Sequence, residues 1–206
     1  MTAVSGDAAL VAEALRVNAR YVEEVVIGWD LCPWAARAWL DGQVIQRVFT
    51  DAALDPAPVA AFIDELDANP RAAIGLAIFP RVTCSIGAWD SFAERVRRAR
   101  AAHPFLAAAF HPDSRAPHEA ANGALDAARL VPFIRRTPDP TLQLVRASLL
   151  ERLGGEVSAG VGRTNLANVT ARGLDKLDAL LADIRRDRDA SYARAHVPSP
   201  RPRGEG

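Results

Sequence analysis

Two short stretches carry side chains able to do chemistry. GWDLCPWAAR, residues 28–37, sets Cys32 directly before Pro33, with Trp29 and Trp34 on either side, in a chain with two cysteines and one methionine. FHPD, residues 110–113, ends an apolar run with His111 and Asp113 two positions apart. A thiolate is both nucleophile and metal ligand, and its pKa falls at a helix N-terminus or beside a cation. An imidazole oriented by a carboxylate moves protons. Cys32, His111 and Asp113 are therefore candidate catalytic residues. The same three suit a divalent metal such as zinc or iron, with His118 as an alternative third ligand. Plainer readings stand beside these. Cys32 can be a small apolar plug against two indoles, and Pro112-Asp113 can be a turn. Cys84 has only a loop position behind it.

Arg135 and Arg136 precede Thr137-Pro138-Asp139-Pro140, which reads as the approach to a helix with Asp139 as its cap. Guanidinium groups beside helix N–H donors hold a carboxylate or phosphate. The alternative is a surface pair salt-bridged to Asp139 or Asp126.

The elements around these residues follow from periodicity. Leu10, Ala14, Val17, Tyr21 and Val25 recur at helical steps over residues 7–27. Asp30 to Leu40 reads as a short helix with Pro33 in its first turn. QVIQRVF (43–49) alternates as a strand, and AAIGLAIF (72–79) and FLAAAF (105–110) are apolar runs suited to buried strands. Helices are predicted from Pro56 to about Asp67 and from Asp90 to Ala102. Strand, helix, strand, helix, strand is the order of a parallel sheet with crossover helices. After His111 the pattern turns helical: a weak helix within 118–134, one from Asp139-Pro140 to Gly154-Gly155, and one over about 164–188. The expected fold is thus a single α/β domain, residues 1–190. It has a small, mainly parallel sheet of at least three strands and a helical C-terminal third, followed by a disordered Pro/Arg-rich tail, 191–206.

In such sheets ligands bind beyond the carboxyl ends of the strands. Strand direction sends Cys84 and His111-Pro112-Asp113 to that edge. A short helix running antiparallel to the first strand would bring Cys32 there, and a helix starting at Pro140 would bring Arg135 and Arg136.

Composition removes several classes of function. The 206 residues carry 25 Lys plus Arg against 25 Asp plus Glu, a formal net charge of zero. Such a chain has no electrostatic bias toward nucleic acid or an anionic membrane. RVRRAR (95–100) and IRRDRD (184–189) read as solvated helix faces. GEVSAGVGRT (155–164) lacks the lysine and the preceding strand of a phosphate loop. The N-terminus has no signal-peptide pattern, no apolar run reaches a membrane span of roughly 18 residues, and two isolated cysteines suit a reducing cytoplasm.

The chain also resembles a bacterial family catalogued as domain of unknown function 1415. The family's segment Ile-Gly-Leu-Asn-Leu-Cys-Pro-Phe-Ala stands here as Ile27-Gly28-Trp29-Asp30-Leu31-Cys32-Pro33-Trp34-Ala35. Its Phe-His-Pro-Asp is Phe110-His111-Pro112-Asp113. Its Asn-Arg-Ser-Pro-Tyr-Pro-Thr-Leu-His-Leu-Leu-Arg is similar to residues 135–146. There Arg135 replaces the asparagine, Asp139 the aromatic between the prolines and Gln143 the histidine, while Ser114 replaces an aromatic after the His-Pro-Asp segment. The resemblance adds Arg146 to Arg136 and Arg135 as candidate substrate-binding residues and supplies no reaction. Two functions follow as expectations. One is an enzyme acting on a small anionic metabolite through a Cys/His/Asp/Arg site, with any cofactor unidentified beyond the divalent metal above. The other is a non-catalytic protein binding a small ligand or a partner through the same arginines.

Overall fold

A computed structural model of the chain describes residues 6–99, 104–114 and 126–194. Helix α1 (Gly6–Arg20) runs without a break into a π-helical segment, Tyr21–Ile27. There Gly28 N–H donates to the Glu23 carbonyl and Leu31 N–H to the Val26 carbonyl, five residues back. After α2 (Ala35–Leu40) come β1 (Val44–Val48), α3 (Pro56–Ala68), β2 (Ile74–Ile78), α4 (Ile86–Ala99) and β3 (Phe105–Phe110). The chain continues through α5 (Ala127–Ile134), β4 (Thr141–Arg146), α6 (Ala147–Arg172) and α7 (Leu174–Arg194). Among the described residues, no helix is long and apolar enough to cross a membrane.

The strands form one sheet in the order β1-β2-β4-β3. β1 and β2 are parallel, with Val44 opposite Ile74. β4 is antiparallel to both β2 and β3, with Thr141 opposite Ile78 and Phe110. The α/β class and the crossover helices stand, but "mainly parallel" does not. The reason is TLQLVR, which sequence periodicity places in a helix from Pro140. Its leucines fit both periods, and burial decides between them. Leu142 and Leu144 are fully buried on the face packed by α3 and α4, while Thr141 and Gln143 alternate to the other face. A segment hydrogen-bonded on both sides and covered on both faces is a central strand whatever its helix propensity.

Two apolar layers flank the sheet. Ala77, Phe79, Phe105, Leu142 and Leu144 meet Phe62, Leu66, Trp89 and Phe92 of α3 and α4. Ile74, Leu76 and Ile78 meet α1, the π-helical segment, α5 and α7. β2 is buried along its whole length, as its unbroken apolar run predicts. The C-terminal third differs from expectation in its breaks. α6 runs through Gly154-Gly155, and the chain turns at Gly173, whose φ of +99° suits glycine. α7 continues past residue 190, with Ser191 and Tyr192 buried; residues 195–206 of the expected tail, like 118–125 of the weak helix, which include the candidate ligand His118, lie outside the described residues.

Candidate functional site

The reversed strand preserves one inference and removes another. β4 starts at the edge where β1, β2 and β3 end, so Arg135, Arg136 and Asp139 reach the carboxyl edge as expected, by way of a strand. Arg146, five steps along β4 at roughly 3.4 Å each, falls at the opposite edge. There its guanidinium caps the C-terminus of α3. Nη2 donates to the Leu66 and Asn69 carbonyls, Nε to Ala72, and Nη1 to Asp67. These groups occupy Arg146 in joining α3 to β4, far from His111.

Asp139 is no helix cap. It is fully buried, and its Oδ1 accepts from Arg188 Nε at 2.7 Å and its Oδ2 from Tyr192 OH at 2.6 Å. Burial pushes this carboxyl up. The Arg188 guanidinium, itself fully buried, and the Tyr192 hydroxyl act against that shift and favour the carboxylate. IRRDRD is therefore more than a solvated face. Arg188 continues the stripe Leu177, Leu181, Ile184 at helical spacing, the one sequence signal that could have placed it inside.

Cys32 lies in the turn before α2, where the Ala35 N–H donates to its backbone carbonyl and the N–H groups of Trp34 and Ala35 act to lower the thiol pKa. That is the arrangement expected of a depressed thiol, yet burial dominates and raises its pKa above the ordinary value. The thiol lines a cavity of about 60 Å³ between the sheet and the α1 layer. Its wall crosses the sheet from Val44 and Ile74, through Leu76 and Gln143, to Thr141 and Phe110, and is closed above by Asn18 and Tyr21. Trp29 and Trp34 are not part of this wall; Arg172 lies over the Trp29 ring at 4.0 Å.

His111 is buried at the end of β3, and its Nδ1 accepts the Asp113 backbone N–H at 3.1 Å. That bond places the ring proton on Nε2. Nε2 lies 4.0 Å from the sulfur of Cys84, a cysteine with only a loop position to recommend it. Both Cys84 and Cys32 are free thiols. Burial, and the nearby Asp113 charge, raise the Cys84 thiol. Asp113 itself pairs through its side chain with Arg185 at 2.7 Å. No contact joins Cys32 to His111, and among the described residues no three His, Cys, Asp or Glu side chains converge to hold a metal. Burial lowers the pKa of His111. The unfolded chain then takes up a proton near pH 6.5 that the folded chain resists, so stability falls as pH drops below that value. Urea unfolding at pH 7.5 and 5.5 should show the loss, and His111→Gln should shrink it; an unchanged pH difference in the variant would assign the loss elsewhere.

The arginines differ most in their partners. Arg136 is paired with Asp178 of α7 at 2.5 Å, the salt-bridge alternative raised by the sequence although on a different carboxylate. Arg135 is half-buried, its guanidinium 5.3 Å from the Phe110 ring centroid, and its backbone carbonyl accepts from His111 N–H. Its charge acts through space on Tyr21 and Asp90, and burial lowers its pKa. Among the described residues no acceptor is hydrogen-bonded to that guanidinium. Phe110, Tyr21 and Thr137, its neighbours, are also the end wall of the Cys32 cavity.

No curated protein and no solved structure matches the chain. A family model does match, over residues 13–179, a span that includes Cys32, His111 and all three arginines. The chain thus belongs to the family described as Protein of unknown function (DUF1415).

Proposed function

We propose that the protein binds a small organic anion, with the anionic head on Arg135 and the apolar body in the Cys32 cavity. The observation that carries this reading is the position of Arg135. Arg136, Arg146, Arg185 and Arg188 each donate to at least one protein acceptor. Arg135 alone of these five has no hydrogen-bonded acceptor among the described residues, and its neighbours Tyr21, Phe110 and Thr137 line one end of an apolar cavity. A concave apolar wall with one charged group at its rim is the common form of a small-ligand site. About 60 Å³ admits roughly four or five water-sized groups, which limits the buried part to a short chain.

Binding is favoured over catalysis by three details. His111 offers a protonated Nε2 rather than a base, both thiols are raised rather than depressed, and Cys32 lines the cavity while His111 does not. A nucleophile requires the opposite of the first two. Calorimetric titration with butanoate and with inorganic phosphate tests the reading. Butanoate should bind, and it should slow labelling of Cys32 by a maleimide while leaving Cys84 unaffected. Absence of binding by either anion would refute it. Rapid labelling of Cys32 at neutral pH, unaffected by butanoate, would restore the nucleophile.

A further inference from the structure

The apolar stripe of α1 contains one residue that does not belong to a core. Asn18 falls between Ala14, Val17, Tyr21 and Val22, all buried, and is itself only 1 % exposed. Among the described residues its Oδ1 has no hydrogen-bond partner. Across the cavity stands Gln143, the only polar side chain with a long reach on that wall, and no described residue hydrogen-bonds to its amide. The two threonine hydroxyls on the wall differ: Thr137 and Thr141 both donate to the Asp139 carbonyl and have no proton left to offer. A buried carboxamide without a partner is destabilising, and a core helix face keeps one only if something else gains from it.

From this we infer that the bound anion carries a hydroxyl group, which the Asn18 and Gln143 carboxamides recognise inside the cavity: the ligand class is a short hydroxycarboxylate. The inference rests on the binding reading above and adds a requirement to it. A carboxamide accepts a hydroxyl proton at its oxygen and donates through its nitrogen to the hydroxyl oxygen, so two facing amides can satisfy one hydroxyl completely. An alkyl chain in the same place leaves both unsatisfied. Sites built to hydrogen-bond a substrate hydroxyl discriminate strongly against the analogue that lacks it.

Butanoate and its 2-, 3- and 4-hydroxy derivatives separate the possibilities, since they share the head and the chain length. At least one hydroxybutanoate should bind tenfold or more tightly than butanoate. Asn18→Leu should bring the two to parity while raising the thermal midpoint, because it removes the unsatisfied group from the core. Gln143→Leu, at a half-buried position, is a second variant with the same expected loss of preference if Asn18→Leu disturbs the helix. If butanoate binds and no hydroxybutanoate binds more tightly, the inference falls and the binding reading survives. If a preference exists but persists in both variants, the carboxamides are not its source and the inference falls. If none of the four binds, the binding reading falls first and takes this one with it.

Discussion

Replacing Asp139 with alanine is expected to destabilise the protein by about 3–5 kcal/mol, the range for removing one partner of a buried ion pair. The effect is large because what remains is worse than what is lost. The Arg188 side chain is 1 % exposed and its partner 0 %, so the variant leaves a guanidinium in the interior with, among the described residues, the Pro80 carbonyl and the outward Asp189 as its hydrogen-bond acceptors. Tyr192 loses the acceptor for its hydroxyl at the same time. Against a typical total stability of about 5–15 kcal/mol, such a loss shows directly in urea unfolding. The companion result identifies the mechanism. Asp139→Leu combined with Arg188→Met and Tyr192→Phe removes every member together and should recover most of the loss. An Asp139→Ala cost below 1 kcal/mol would mean that the pair is not buried as described.

The same residue ties stability to the site. The Asp139 carbonyl accepts the hydroxyls of Thr137 and Thr141, both on the cavity wall, and Arg188 joins this segment to Pro80 after β2. The lock holds the start of β4 against α7 and so fixes the wall behind Phe110. An aromatic between the two prolines would fill this space without a charge. The aspartate makes a polar lock instead, and needs Arg188 and Tyr192 to neutralise and satisfy it.

How much of this was legible follows from which signals are local. β1, β2 and β3 are each fixed by their own composition, and the sequence places all three and their common direction. β4 is not, because TLQLVR fits a helix and a strand equally well alone. What makes it a strand is the gap between β2 and β3, a property of the assembled sheet. The misreading did little harm to the carboxyl edge, since any element antiparallel to β2 starts there. It did mislead about Arg146, which a helix would keep within reach of that edge and a strand carries to the other side of the molecule.

At the site, the sequence finds the chemical types and misses their grouping. Cys32 and His111 share a motif-like look, but they separate because α2 is only six residues long and the Cys32 turn lies over the sheet face rather than at its end. His111 meets Cys84 instead, through the convergence of the β2 and β3 ends that chain direction already implied. Asn18 was invisible because a single polar residue on an apolar stripe does not disturb the periodicity that reveals the helix. Its importance depends on a missing partner, which only packing can show.

Arg135→Gln should weaken butanoate binding by roughly 10- to 150-fold, the equivalent of about 1.5–3 kcal/mol for a hydrogen bond to a charged group. The magnitude follows from its surroundings. The guanidinium is half-buried over Phe110, where water screens it less than it would an exposed surface arginine, and no described carboxylate is hydrogen-bonded to it before ligand arrives. Glutamine keeps donors at this position and loses the charge and the forked geometry, so it isolates the electrostatic part of the interaction. Arg135→Lys should retain part of the affinity as a point charge. Arg146→Gln is the informative contrast. It breaks three carbonyl bonds at the end of α3 and should lower stability while leaving butanoate affinity within about twofold, because Arg146 faces α3 and the cavity lies on the α1 side of the sheet. Calorimetry on the three variants at one salt concentration decides the matter. If Arg135→Gln binds butanoate as the parent does, the anion is held elsewhere. If Arg146→Gln abolishes binding without unfolding, the anion is held on the α3 side of the sheet and the site drawn around Phe110 is wrong.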